Sequence, residues 1–253
     1  MTGPLVGQRV VVTRRPEQSG ELMRRLEALG ARVQVLPAIT LAPPADTAPL
    51  DAALRRLDEY DYLVLTSANA VEAVARRLED LALEAPQPGP TLASVGPATS
   101  EACRRWLPDR AVRVQPVREF RGEGLLQAFA GLDLRGKRVL LPASERARDV
   151  LPRGLRARGA AVDVCVAYRN VAPEDLAARL AALVAEGVDL VVFASPSAVE
   201  HVAAASPELA AGLRAAVIGP VTERAARAAG LDVQVVASPS TVDGLVAALA
   251  GRR

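Results

Sequence analysis

The chain is poor in the residues most often used for proton transfer and metal binding. Among 253 residues there is one histidine, His201, and there are two cysteines, Cys103 and Cys165. A Ser-His-Asp arrangement would have to centre on His201, which falls inside a helix-like stretch rather than at a strand end. One histidine and two unrelated cysteines are poor material for a clustered metal site, so no metal is expected. The cysteines form no motif and read as two reduced, buried thiols of a cytoplasmic protein. Aromatic residues make up 3% of the chain, so the cores must be built from Leu, Val and Ala. Lysine occurs once, at Lys137, and arginine supplies the rest of the positive charge. A net charge of +2 leaves no footprint for nucleic acid or an anionic membrane surface. No apolar run approaches the roughly 20 residues that span a bilayer, and no leader-like pattern opens the chain. A cytoplasmic protein without a membrane partner is therefore expected. The sequence has no G-x-x-x-x-G-K-[ST] loop, no G-x-G-x-x-G after a strand and no G-x-S-x-G elbow. Chemistry without a cofactor, or simple binding, is what remains.

What the chain does have is alternation. Short β-branched runs such as "RVVVT" (Arg9 to Thr13) suit parallel strands buried on both faces. The segment after it places Leu22, Met23, Leu26 and Leu29 on one helical face, and Gly30 is a natural stop. "ARVQVLPAI" reads as the next strand. "YLVLT", "TLASVG", "RVLLP", "AVDVCVAY", "LVVFAS", "AAVIG" and "VQVVA" follow, mostly separated by amphipathic helices. The fold class is α/β with parallel sheets.

The chain also repeats itself. "GQRVVVT" at Gly7 returns as "GKRVLLP" at Gly136, and Gly30 then aligns with Gly159. "DYLVLTSANAV" at Asp61 returns as "DLVVFASPSAV" at Asp189. "SVGPATSEA" at Ser94 returns as "VIGPVTERA" at Val217, and "GEGLLQAFAG" resembles "VDGLVAALAG". The order is preserved, which predicts two similar α/β lobes. Pro-containing exits at Ile39 to Pro49 and at Tyr168 to Leu176 occupy matching places. They suggest two connections between discontinuous lobes, with a cleft between them.

Hydroxyl groups recur where strands give way to helices. Thr13 follows the first strand. Thr66 and Ser67 open "TSAN". Ser195 and Ser197 open "SPSAVE", where Ser197 and Glu200 fit a capping box. Thr99 and Thr222 follow Gly96 and Gly219. Each hydroxyl can simply cap its helix. As a set beyond the carboxyl ends of parallel strands, they also suit a site for carboxylate or phosphate groups.

These residues carry a resemblance. "VVVTRRP", "DYLVLTSANAV", "ASVGPAT", "VAYRNVAP", "DLVVFASPSAV" and "AVIGPVT", in this order over essentially the whole chain, resemble the uroporphyrinogen-III synthase family. The resemblance implies two flavodoxin-like lobes joined by a two-stranded linker. One lobe would take residues 1–38 and 170–253, the other 39–169, with linker strands near 37–42 and 165–172. A monomer without a cofactor is expected. The reaction would close hydroxymethylbilane, a linear tetrapyrrole rich in carboxylates, with loss of water and inversion of the last ring. Substrate contacts would fall on Thr66, Ser67, Asn69, Thr99, Tyr168, Ser195 and Thr222; the hydroxyls of Thr13 and Ser197 are further candidates, and Arg14 could add positive charge or simply be solvated. Asn69 stands where some members carry a basic residue. Arg15, Arg146 and Arg169 could add positive charge or simply be solvated. Tyr168 is the candidate for proton chemistry, because a phenol keeps its proton at neutral pH and can hand it to a leaving hydroxyl. A linker tyrosine packed for its ring alone is the other reading of that residue. A binding or regulatory protein of the same fold, without catalysis, is the alternative function.

Overall fold

The computed structural model describes residues 3–251. They divide into two compact units, one holding the chain up to Thr40 and from Val171 onward, the other Leu41–Asn170. The chain opens the first unit with β1 (Arg9–Val12), α1 (Pro16–Ala28) and β2 (Arg32–Val35). It enters the second through β3 (Thr40–Ala42), followed by α2 (Ala48–Leu54), β4 (Tyr62–Leu65), α3 (Ala68–Asp80), β5 (Thr91–Ser94) and α4 (Pro97–Trp106). β6 (Val112–Val114), α5 (Gly122–Ala128), β7 (Arg138–Ser144), α6 (Val150–Ala157) and β8 (Ala161–Val171) complete that stretch. The first unit resumes with α7 (Leu176–Glu186), β9 (Leu190–Phe193), α8 (Pro196–Ala205), α9 (Pro207–Ala211) and β10 (Arg214–Val217). It ends with α10 (Pro220–Ala228), β11 (Asp232–Val236) and α11 (Val242–Ala250).

Each unit has its own sheet. In the first the order is β11-β10-β9-β1-β2, parallel throughout. Numbered along the chain, that is the flavodoxin-like order 2-1-3-4-5. The second sheet runs β3-β8-β7-β4-β5-β6, parallel from β8 to β6. There β7 and β8 take the places of β1 and β2, while β4, β5 and β6 take those of β9, β10 and β11. The sequence repeat and the folded unit are therefore different things. Each unit joins the front half of one repeat to the back half of the other.

The repeated aspartates show why the phrase recurs. Asp189 Oδ2 accepts the backbone N–H of Arg9 at 2.8 Å, and Asp61 Oδ2 accepts that of Arg138 at 2.8 Å. Each carboxylate thus satisfies the first N–H of the neighbouring strand and sets its register. Lys137, the sole lysine, donates to Asp61 Oδ1 at 2.8 Å, and this bond holds the Asp61 carboxyl below the usual range. The strands that follow are buried on both faces. Leu63 and Leu65 join one cluster of core side chains while Val64 joins the other. Gly30 and Gly159 both end their helices with φ near +90°, at +95° and +87°, which L side chains rarely adopt.

Some details differ from the sequence pattern. Leu22 and Leu26 are fully buried under α1, but Met23 and Leu29 are only half-buried. The strand expected across "ARVQVLPAI" stops at Val35, and Leu36 and Ala38 go into the core outside regular structure. His201, on α8, has Nδ1 2.7 Å from the Ala38 carbonyl oxygen; since a carbonyl only accepts, Nδ1 carries the proton and ties α8 to the segment after β2.

Cys103 and Cys165 are free and buried in one cluster of the second unit. Burial pushes both thiols up to about 11. A thiol whose folded pKa is raised above its unfolded value, near 8.5, stabilises the fold fully below that value. The contribution is lost as the pH rises toward 11. The melting temperature should therefore fall between pH 9 and 11, and a Cys103→Ala/Cys165→Ala variant should show a flatter decline. An identical slope in parent and variant would contradict this assignment.

Candidate functional site

The second unit builds a site at the carboxyl ends of its central strands. β4 ends at Leu65, and Thr66 and Ser67 follow. Ser67 is extended, with φ −162° and ψ 157°, and caps α3 by accepting the N–H of Ala70 at 3.0 Å. β8 brings Tyr168 alongside, with its hydroxyl oxygen 3.1 Å from Ser67 Oγ. The tyrosine ring belongs to the core, with the residue only 8% exposed. Tyr168 also helps to line a cavity of about 420 Å³, together with Thr66, Ser67, Phe120, Arg121 and Arg148. A smaller hollow of about 150 Å³, lined by Asn69, Arg76 and Arg77, also touches Tyr168. Beside it Arg77 grips Asp51 through two nitrogens, at 2.6 and 2.7 Å, and that pairing lowers the Asp51 carboxyl pKa.

The other residues singled out by sequence behave differently. Thr99 is buried, one turn inside α4, and the helix is capped by Gly96. Thr222 repeats this in α10 beneath Gly219. Neither hydroxyl caps a helix start. Thr13 does not cap one either: Oγ1 donates to the Val192 carbonyl at 2.8 Å, stitching the end of β1 to β9. Ser195, not Ser197, caps α8, accepting the N–H of Ala198 at 3.2 Å. The capping box expected at Ser197 is displaced because Pro196, with no N–H and a fixed φ, takes the first helical position. Ser197 is half-buried within that helix, and Arg14 is half-buried just past Thr13. In the first unit Thr13, Ser195 and Thr222 follow the adjacent strands β1, β9 and β10. Arg169 Nε donates to the Pro43 carbonyl at 3.0 Å, so that cation has a local structural use. Arg146 is exposed, and Arg15 occupies the N-cap position of α1.

Phe120, Arg121 and Arg148 carry no hydroxyl, so the pattern of hydroxyls at helix starts does not point to them. Among the described residues the Arg121 and Arg148 side chains make no hydrogen bond or ion pair. The described residues also contain no group of three or more His, Cys, Asp and Glu that could hold a metal. No described helix is long and apolar enough to cross a membrane.

Two flavodoxin-like units, each a parallel sheet with helices between its strands, define a class of two-unit parallel α/β protein. The model of the family described as "Uroporphyrinogen-III synthase HemD" matches residues 20–247. This chain belongs to the uroporphyrinogen-III synthase family, a family of enzymes of porphyrin biosynthesis. A Methanothermobacter thermautotrophicus protein is 37% identical over 226 residues, covering 85% of this chain and 87% of that protein. The uroporphyrinogen-III synthase of Synechococcus elongatus is 32% identical over 200 residues, 78% of this chain and 74% of its own. The crystal structure of uroporphyrinogen-III synthetase from Helicobacter pylori superposes with a TM-score of 0.60 at 15% identity, covering 95% of this chain and 97% of that one, which speaks to the fold.

Proposed function

We propose that this protein closes hydroxymethylbilane to uroporphyrinogen III, as a cyclising hydro-lyase that inverts the last ring. The observation that carries the mechanistic part is the pairing of the Tyr168 hydroxyl with Ser67 Oγ on the cavity wall. Tyr168 gives its proton to the leaving hydroxyl of the bilane. The C–O bond breaks, water departs, and the pyrrole nitrogen supplies the electron pair that leaves an azafulvene. The substituted carbon of the last ring attacks it, and the resulting spiro intermediate fragments and recloses. The proton released when the ring regains aromaticity returns to the tyrosine oxygen.

Ser67 makes that loan easier. Its oxygen already accepts the Ala70 N–H, so its own O–H is free to donate to the phenolate that Tyr168 leaves behind. The positive end of the 13-residue α3 lies at the same place and favours a negative oxygen. Thr66, Asn69, Ser195, Ser197, Thr13, Arg14, Thr99 and Thr222 are proposed to bind or orient carboxylate arms. The buried Thr13, Thr99 and Thr222 would act by positioning the chain around them. The protein works as a monomer in the cytoplasm, needs no cofactor, and acts mainly by folding the bilane so that the correct ring carbon meets the electrophile.

The test is direct. Supplied with hydroxymethylbilane, the purified protein should form the type III isomer well above the spontaneous rate. Type I product alone, at the spontaneous rate, would overturn the reading in favour of a non-catalytic binding protein.

A further inference from the structure

The two units repeat one another closely enough that each serves as a control for the other. "GEGLL" in α5 corresponds to "VDGLV" in α11. Gly124 and Gly244 occupy the same place, and each lets its helix press on the preceding loop. A Cβ at Gly124 would stand 1.9 Å from the Glu119 carbonyl oxygen, and one at Gly244 would stand 2.0 Å from that of Pro239. Counting back, Arg121 corresponds to Thr241 and Phe120 to Ser240. Both Arg121 and Thr241 are N-cap residues in extended conformation.

At this point the units part. Thr241 Oγ1 accepts the N–H of Gly244 at 3.0 Å, a proper cap. Arg121 makes no such bond, so the second unit carries a cation where the first carries a capping hydroxyl. Ser240 sits against Gly219 in the first unit, while Phe120 takes that place against Gly96 in the second. Three Phe120 side-chain atoms lie 3.1 Å from where a Gly96 Cβ would be, so the glycine makes room for the ring. Phe120 is nevertheless 48% exposed, while Phe129 and Phe193, the other phenylalanines, are fully buried. Arg121 leaves α5 without the side-chain cap that Thr241 gives α11, and Phe120 stays exposed although it packs on Gly96. Both residues line the cavity that Tyr168 also lines.

We infer that Phe120 and Arg121 form a recognition arm that seats one carboxylate-bearing pyrrole ring of the substrate. Resting on the cyclisation reading, this assigns two specificity residues to the same cavity. The ring lies against the exposed phenylalanine, and the guanidinium pairs with the carboxylate of that ring's side chain. The first unit, carrying Ser240 and Thr241, lacks this arm, which makes the two halves of the duplication chemically unequal.

The experiment gives the second unit the first unit's residues. Kd for uroporphyrin III, the air-stable oxidised form of the proposed product, is measured by fluorescence for parent, Arg121→Thr, Phe120→Ser and Arg121→Lys. KM and kcat for hydroxymethylbilane are measured beside it. Arg121→Thr should weaken binding and raise KM about tenfold, the loss expected when a charge-assisted hydrogen bond is removed, with kcat within twofold. Its melting temperature should not fall, because threonine restores the cap. Phe120→Ser should weaken binding severalfold, and Arg121→Lys should recover most of the Arg121→Thr loss. A parent that does not bind uroporphyrin III, or variants that bind it within twofold of parent, would overturn the arm. Failure of the cyclisation reading looks different: type I product alone, whatever the Kd values.

Discussion

Tyr168→Phe should lower the rate of type III product formation at least about tenfold, as the loss of a general acid does. The substitution is clean. The ring belongs to the cluster around Leu63 and Leu65, and phenylalanine keeps that packing. Only the oxygen beside Ser67 is lost, and Ser67 keeps its bond to the Ala70 N–H, so the α3 cap survives. Stability should change little while kcat falls, and KM should stay near the parent value because binding is left to other groups. Separating type I from type III product over time distinguishes two outcomes. A slow enzyme that still makes type III identifies Tyr168 as the proton donor. Unchanged turnover with intact selectivity would remove Tyr168 from the chemistry.

The second large effect is expected at Gly124. The added methyl of alanine would meet the Glu119 carbonyl oxygen at 1.9 Å, and that atom is backbone and cannot rotate away. Overpacking of this kind costs about 3 kcal/mol, more where the backbone must shift. Gly124→Ala should destabilise the second unit by at least that amount in chemical denaturation, and Gly244→Ala should do the same to the first. Since the displaced loop runs directly into Phe120 and Arg121, Gly124→Ala should also weaken uroporphyrin III binding. A loss below about 0.5 kcal/mol at both glycines, the range of ordinary surface changes, would show that the loops give way freely.

The fold was legible because its signals are local. β-branched runs, helix-ending glycines and the repeated aspartate phrase all reported on their own neighbourhoods. The aspartates proved to be register pins, which explains why the phrase recurs before any ligand is considered. The hydroxyls were harder. Whether Thr13 faces a helix start or the carbonyl of Val192 depends on which strand lies next to β1, and that strand arrives 180 residues later along the chain. Thr99 and Thr222 were placed by their distance from a glycine, yet the glycine itself takes the cap. The Ser197 frame was wrong for a readable reason, since Pro196 marks the first helical position. Phe120 and Arg121 lie where the repeats differ, so the shared phrases do not point to them. The divergence in the two residues before "GEGLL" and "VDGLV" is the signal that marks them.

The exchange of halves between repeats also orders events during synthesis. β1, α1 and β2 leave the ribosome first, but β9, the strand that pairs β1 from Val10 to Val12, follows only after the whole of Leu41–Asn170. The central block is contiguous, so it can complete its sheet while the earlier strands still wait with an open edge. The part of the molecule made first is the part finished last. A nascent chain paused once Asn170 has cleared the ribosome should hold a protease-resistant middle and a vulnerable start.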